Sequence, residues 1–406
     1  MNGAVTMLLL AALAAAPAAA GDPPAADPAA EATLAFGLDL YPRVKAAGKN
    51  VFFSPYSVAA ALAMVRVGAR GETAREMDAV LHFGEGVPAA AHGALKQALV
   101  PRTVRDGRGR EAAEVPAYEL STANALWVQE ALAIEADFVK TLAGEFGAPL
   151  ERIDFRETAA ARARINEWVA QRTRERIQNI VPEGLPAPDT LLALANAIYF
   201  KAAWTKPFQE NLTAEAPFHV AADREVEAKF MHRVETLGYL EDDEVQVAEL
   251  PYRGNDTSMV VVLPRARDGL AAVEKGLAVA KVKGWLDGLR PTAVKLTLPR
   301  FEFTCPMDIT GALNALGMKQ AFARNADLSG ITAAGPLFLS TVLHKAFIAV
   351  DEAGTEAAAA TVVISRGGGR PRDPREFVAD HPFLFLIRHR QTGAVLFLGA
   401  LETPAG

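Results

Sequence analysis

The chain has 406 residues, 50% of them hydrophobic and 22% charged, enough apolar material for a sizeable core and too well balanced for wholesale disorder. A formal net charge of −6 argues against general affinity for nucleic acid or anionic membranes. The first 20 residues, MNGAVTMLLLAALAAAPAAA, carry no charged side chain and hold an apolar run too short to span a bilayer. The small residues before Gly21 suit signal-peptide cleavage after Ala20. Residues 1–20 therefore read as a secretory signal, and 21–30, GDPPAADPAA, as a flexible spacer. With that signal the expected destination is secreted, extracellular or periplasmic, and since no later stretch reaches 18 apolar residues the mature chain is expected to be soluble.

Ser54 is a plausible N-cap with Pro55 at the first helical position, and Val58, Leu62 and Val65 follow at helical spacing. Thr73 and Glu76 read as a capping box for a second helix ending near LHFG. Residues 101–118, rich in Arg, Gly and Pro, read as an exposed loop within one domain rather than a linker between two. ELSTANALWV reads as a strand, 157–180 as one long amphipathic helix with Ile165, Trp168, Val169 and Ile177 inward, and the unbroken apolar LLALANAIYF as a strand buried on both faces. VQVAELPY and SMVVVLP flank a GND turn, and AVKLTLPRFEF alternates with Val294, Leu296 and Leu298 on one face. HKAFIAVDE, PFLFLIRH and GAVLFLGAL complete the set. Strands and helices intermix without βαβ regularity, so the fold class is α+β in one domain over residues 31–404.

Catalytic constellations are missing from the pattern: no G-x-S-x-G, S-x-x-K, H-E-x-x-H or Walker loop occurs, and the seven histidines show no metal-ligand spacing. Neither cofactor nor metal is expected, and the chain is not read as an enzyme; an unrecognised hydrolase is the enzyme alternative. The single Cys305 forbids an intrachain disulfide and reads as a half-buried structural thiol. SRGGGRPR lacks the Gly-Lys-Ser/Thr ending of a phosphate cradle. One stretch suits two backbones at once: DEAGTEAAAATVVISRGGGRPRDP joins good helix formers to β-branched residues, then to glycines, arginines and prolines.

Five separated blocks, in order, resemble one family, the serpins. NVFFSPYSVAAALAMVRVGARGET is similar to its early helix block, LANAIYFKAAWTKPF to its central strand, and ELPYRGNDTSMVVVLP to its paired strands. LHKAFIAVDEAGTEAAAAT resembles the hinge and FVADHPFLFLIRHRQTGAVLFLGAL the C-terminal signature. The resemblance implies three β-sheets, eight to nine helices and an exposed reactive-centre loop over about 354–376. It also implies a suicide inhibitor of serine-type endopeptidases. The protease attacks the loop, forms an acyl-enzyme, and is trapped when the cut loop inserts as a strand in the main sheet.

Residues entering a sheet need small side chains and no Pro, which Gly354, Thr355, Glu356, Ala357, Ala358, Ala359, Ala360 and Thr361 satisfy. By alternation Thr355, Ala357, Ala359 and Thr361 share one face and Glu356 lies on the other, toward water, while Gly354 gives backbone freedom at the pivot. By resemblance, Asn50, Ser54, Ser57, Asn196 and His344 control sheet opening, Trp204 marks the start of insertion, and Glu352 pairs with Arg300 to close the sheet top.

Hinge length places the reactive bond at Gly368–Gly369, with Arg366–Gly367 as the competing, trypsin-type site, two residues early. Glycine at that position points to a small-residue-preferring, elastase-like or subtilisin-like target. Arg370, Arg372 and Arg375 read as loop solvation, with steering of an acidic protease as the alternative. Arg102, Arg105, Arg108 and Arg110 hint at polyanion binding, diluted by Glu111 and Glu114. The expected partner is a target protease, of serine or cysteine class, in covalent complex with a monomer. A non-inhibitory carrier, chaperone or protease substrate is the alternative, though such a hinge is expected to carry bulky, charged or proline residues instead of four alanines.

Overall fold

A computed structural model describes residues 28–84, 91–106, 113–356 and 373–404. The expected signal peptide, most of the spacer, Arg108, Arg110 and the loop residues 357–372 lie outside the described residues. Helix α1 (Pro28–Val44) starts inside the expected spacer, because Ala29 and Ala30 are already buried against the core. Strand β1 (Val51–Phe53) leads into α2 (Pro55–Gly68), whose N-cap Ser54 accepts the Ser57 N–H as the sequence predicts.

Helix α3 (Gly71–Val80) begins two residues before the expected capping box. Thr73 Oγ1 instead accepts the N–H of Asp327, and the Glu76 carboxylate accepts those of Lys319 and Gln320. Both side chains are taken by a distant loop, so the box does not form. After α4 (Ala91–Ala98), the segment expected as a loop carries a hairpin, β2 (Thr103–Asp106) with β3 (Ala113–Pro116). Arg102 is pinned at its base by Asp256 at 2.7 Å.

Then come β4 (Glu119–Gln129), α5 (Ala136–Thr141), β5 (Leu150–Ile153), α6 (Thr158–Arg172) and β6 (Leu192–Ala203). The expected helix over 157–180 stops at Arg172. Thr173 turns its hydroxyl back to the Val169 carbonyl at 2.8 Å and accepts the Ile177 N–H, offering the backbone an alternative to another helical turn. The chain continues with β7 (Ala214–Ala221), β8 (Arg224–Glu241), β9 (Val245–Pro251), β10 (Thr257–Pro264), α7 (Leu270–Lys275), α8 (Val279–Gly288), β11 (Arg290–Pro299) and β12 (Phe301–Asp308). The expected single strand AVKLTLPRFEF is thus two, broken at Arg300 where the chain passes from one sheet to another. Helix α9 (Thr310–Leu316), β13 (Thr341–Val350), β14 (Gly354–Thr355), β15 (Arg375–Val378), β16 (Phe383–His389) and β17 (Val395–Leu401) complete the chain.

Among the described residues these strands form three sheets, of nine, six and two strands, with nine α-helices, as the α+β reading requires. The six-stranded sheet runs β12-β13-β14-β6-β4-β5. Its central strand β6 is buried over almost its whole length, as the apolar run predicts. One face packs on α2 and the large core, while on the other Ala193, Ala195, Ala197 and Leu343 meet Ile165 and Val169 of α6. No helix among the described residues is long and apolar enough to cross a membrane.

Candidate functional site

The six-stranded sheet is closed at one end and held open at the other. Strands β6 and β13 pair directly and in parallel from Thr341 opposite Ala193 to Ala346 opposite Ile198. Beyond that point they part, and β14 enters between them, antiparallel to both. Thr355 lies opposite Val350 on one side and Ala202 on the other, and Gly354 opposite Ala203. The first two hinge residues are therefore a wedge already seated in the sheet, with Thr355 buried and its hydroxyl 2.6 Å from the Tyr252 hydroxyl.

Close approach requires glycine at position 354, whose φ is not positive. A Cβ there would stand 2.1 Å from the Ala202 carbonyl oxygen and 2.7 Å from the Ala203 Cα, so only glycine lets the hinge come this close to β6. Asp351 organises the tight turn before it, its Oδ1 accepting the N–H groups of Ala353 and Gly354 at 2.8 and 3.0 Å.

At the closed end, a buried polar group joins the sheet to α2. Asn196 donates to Ser57 Oγ at 2.7 Å, to the Ser57 carbonyl at 2.9 Å and to Asn124 Oδ1 at 2.5 Å. Its own Oδ1 accepts from His344 Nδ1 at 2.5 Å, while His344 Nε2 accepts the Ser54 N–H. Ser54 Oγ reaches the Leu396 carbonyl at 2.6 Å. This geometry requires the neutral imidazole: a proton on Nε2 would face the Ser54 N–H donor. Burial accordingly pushes the His344 pKa down to about 3.

Of the five residues expected to control opening, Ser54, Ser57, Asn196 and His344 meet here. Asn50 does not join them. It clamps the chain's end instead, its Oδ1 accepting the N–H groups of Glu402 and Thr403 and its Nδ2 donating to the Thr403 carbonyl. Sequence reasoning missed Asn124, which lies directly opposite Asn196. Its signal was present: an asparagine in the middle of an apolar strand is against propensity and needs buried partners.

At the open end, Glu352 is buried and held by Arg300 at 2.7 Å, with Thr213 donating to the same carboxylate. Burial raises its pKa, but these donors outweigh it and hold the carboxyl below its ordinary range. Trp204 stacks on Tyr252 at 4.5 Å, donates through Nε1 to the Asp351 carbonyl, and receives the hinge backbone through its N–H to the Ala353 carbonyl. Arg233, also missed from sequence, lies over the Phe208 ring at 4.2 Å beside Trp204 and pairs with Glu235 at 2.6 Å. Burial pushes its guanidinium down to about 10.

Glu356 departs from expectation. Its backbone is left-handed, with φ of 48°, and its side chain, largely buried, is ion-paired with Arg176 rather than turned to water. The remaining hinge residues Ala357, Ala358, Ala359, Ala360 and Thr361, and the candidate cleavage residues Arg366, Gly367, Gly368 and Gly369, lie outside the described residues, as do Arg370 and Arg372. Cys305 is buried, its thiol pushed up to about 11 and directed at the Asn50 carbonyl, a structural setting.

The site is thus a half-zipped sheet, a wedge of small residues and a buried polar clasp below it, with no nucleophile–base pair among these described residues. The model of the family described as serpin, serine protease inhibitor, matches residues 31–404. The leukocyte elastase inhibitor of Bos taurus is 38% identical over 364 residues, covering 87% of this chain and 93% of its own. Human Serpin B3 is 36% identical over 385 residues, covering 92% and 99%. The structure of human thyroxine-binding globulin superposes with a TM-score of 0.83 at 28% identity, covering 94% of this chain and 99% of its own. The chain belongs to the serpin family, a family of protease inhibitors rather than catalysts.

Proposed function

We propose that the protein is a secreted, monomeric inhibitor of serine-type endopeptidases that traps its target as an acyl-enzyme by inserting its cleaved loop into the six-stranded sheet. Family membership alone does not decide this, since similar proteins include one named for elastase inhibition and one named for binding thyroxine. The observation that carries the reading is the seated wedge. Continuing its two ladders one residue per row puts Ala357 between Ile348 and Phe200, and Ala359 between Ala346 and Ile198. Thr361 then falls between His344 and Asn196, and Ile364 between Thr341 and Ala193. Both flanking strands demand the same residue at every row, so a new strand can enter without sliding either neighbour.

The rows on the α2 side take Thr355, Ala357, Ala359, Thr361, Val363 and Ser365, and the first four are small enough to pass over a packed core. At the clasp, the Thr361 hydroxyl would accept from His344 Nδ1 and donate to Asn196 Oδ1, the two atoms whose hydrogen bond insertion breaks. The strand ends at Ser365, opposite Leu192 at the start of β6. Cleavage at Gly368–Gly369 leaves a three-residue connector to the protease, and cleavage at Arg366–Gly367 leaves one residue. The early bond shortens the connector, not the strand. The longer connector favours Gly368–Gly369; glycine offers a protease pocket no side chain to anchor, so a target cutting there would be one that accepts small residues. The short apolar run ending in small residues before Gly21 supports export.

The test is incubation with a panel of elastase-like, subtilisin-like, trypsin-like and cysteine proteases, followed by denaturing gel electrophoresis and mass spectrometry. A stable adduct joined at Gly368 or Arg366 is the expected result. Clean cleavage with every protease and no adduct would establish the substrate or carrier reading instead.

A further inference from the structure

The segment after α6, residues 173–181, crosses the six-stranded sheet where its central strands part. Ile177, Ile180 and Val181 anchor it in the core between α6 and the sheet, and Val181 is tied to Asn166 of α6 by two hydrogen bonds. Along its length it holds three partners in turn. Arg174 pairs with Glu119 of β4 at 2.6 Å, Arg176 pairs with Glu356 of the hinge, and the Gln178 carbonyl accepts from Lys345 of β13 at 2.6 Å. Arg174, Glu175 and Asn179 are left-handed, with φ of 52°, 62° and 52°, so the segment is costly in backbone terms and held by its contacts.

Glu356 is the residue at which the wedge stops. Its N–H already bonds the Ala349 carbonyl at 2.8 Å, the bond the next inserted row requires. Its φ of 48° is not the extended backbone that a strand needs, and the strand ends at Thr355. Advance by one row therefore needs Glu356 to leave the left-handed region, which is the less favourable one for a residue with a Cβ. Something must compensate for that conformation. The carboxylate is largely buried beside Tyr199, Arg176 and Lys201, and burial raises its pKa despite these neighbours. Arg176 is the one that comes from the crossing segment rather than from the sheet.

We propose that Arg176 is a positioning residue for the trapping reaction: through Glu356 it holds the hinge two residues deep and sets the rate at which the strand advances. This rests on the inhibitory reading above. While the loop is intact the pair restrains spontaneous insertion. After cleavage the energy of strand pairing overcomes it, and the crossing segment and α6 lift together.

The experiment measures, on the full mature chain, the rate of spontaneous conversion to an inserted or polymeric form on warm incubation, by native gel and by loss of binding of a synthetic peptide of residues 354–365. Arg176→Gln, whose side chain is more than half exposed and which is expected to fold, should convert about two- to five-fold faster, the range expected of a partly exposed ion pair. Glu356→Arg should do the same, and the exchanged pair R176E/E356R should return the rate to within about twofold of the parent. Equal rates in Arg176→Gln and the parent, or an exchanged pair as fast as the single variants, would overturn the proposal. The inhibitory reading fails separately: a parent protein whose melting temperature does not rise on loop cleavage lacks insertion altogether, whatever Arg176 does.

Discussion

Glu352 shows how much a single side chain at the sheet top carries. It is buried, its carboxylate is shared by Arg300 and Thr213, and its carbonyl accepts the Phe208 N–H at 2.9 Å. Glu352→Lys places an ammonium against the Arg300 guanidinium in the same space; because Arg300 is partly exposed, losing the pair costs between the about 1 kcal/mol of a surface pair and the about 3–5 kcal/mol of a fully buried one. The variant is expected to form polymers on mild heating at temperatures the parent tolerates, read by native gel and light scattering; unchanged monomer stability and inhibition would count against the role. His344 gives a pH prediction. Its folded pKa of about 3 lies below the ordinary 6.5, so the unfolded chain takes up a proton first as pH falls. The stability it contributes is complete above about pH 6.5 and is lost as pH drops from there toward 3. At pH 5 that amounts to about 2 kcal/mol relative to pH 7. Urea midpoints measured between pH 7 and 5 should fall more steeply for the parent than for His344→Gln; parallel slopes would refute the assignment.

At the scale of elements, the strands were the most legible part. β6 announced itself as an unbroken apolar run, and the faces of β11 followed from Val294, Leu296 and Leu298, all fully buried. What could not be read were features set by distant partners. Thr73 and Glu76 have the spacing of a capping box but are claimed by residues 319–327. Arg300 ends one strand and starts another because it must reach Glu352, a contact 52 residues away. Glu356 alternates correctly for a strand facing water, yet Arg176, 180 positions earlier, makes a left-handed turn the better local solution. The clasp was legible in part, since His344, Asn196, Ser54 and Ser57 stood in matching blocks, whereas Asn124 needed the pairing of β4 with β6 to be noticed. The proposed register yields a prediction for the inserting element itself. Ala359 would face Ala346 and Ile198, both fully buried, so Ala359→Glu would bury an unpaired carboxylate. The native fold should be unaffected by a change in the loop, while the protease should be released as cleaved product instead of held. A stoichiometry of inhibition equal to the parent's would exclude insertion in this register.

At the scale of the whole molecule, the inhibitory reading proposed above requires a trapped state. The parallel contact of β6 with β13 is only six rows long, from Thr341 to Ala346, and the rows above it are wedged apart. A strand from Ala357 to Ser365 would add backbone hydrogen bonds to both neighbours, at about 1 kcal/mol net for each. It would also place Val362 and Ile364 under α6, against the cluster around Trp127 and Ile165. Together these gains would rival the 5–15 kcal/mol that holds an ordinary domain folded, so on the proposed reading a barrier, not the equilibrium, opposes insertion. The barrier has identifiable parts: the His344–Asn196 clasp, the α6 face, and the crossing segment pinned at Glu119, Glu356 and Lys345. Limited proteolysis in the loop removes the topological obstacle while leaving those contacts to be broken once. The nicked protein is therefore expected to melt about 6–20 °C above the intact one, given about 1.3 °C per kcal/mol for a domain of this size. A peptide of residues 354–365 annealed to intact protein should give a similar rise and abolish adduct formation by filling the slot first. Should the nicked chain keep the melting temperature of the intact one, the sheet is not an acceptor, and the wedge at Gly354 and Thr355 is merely how the hinge is packed.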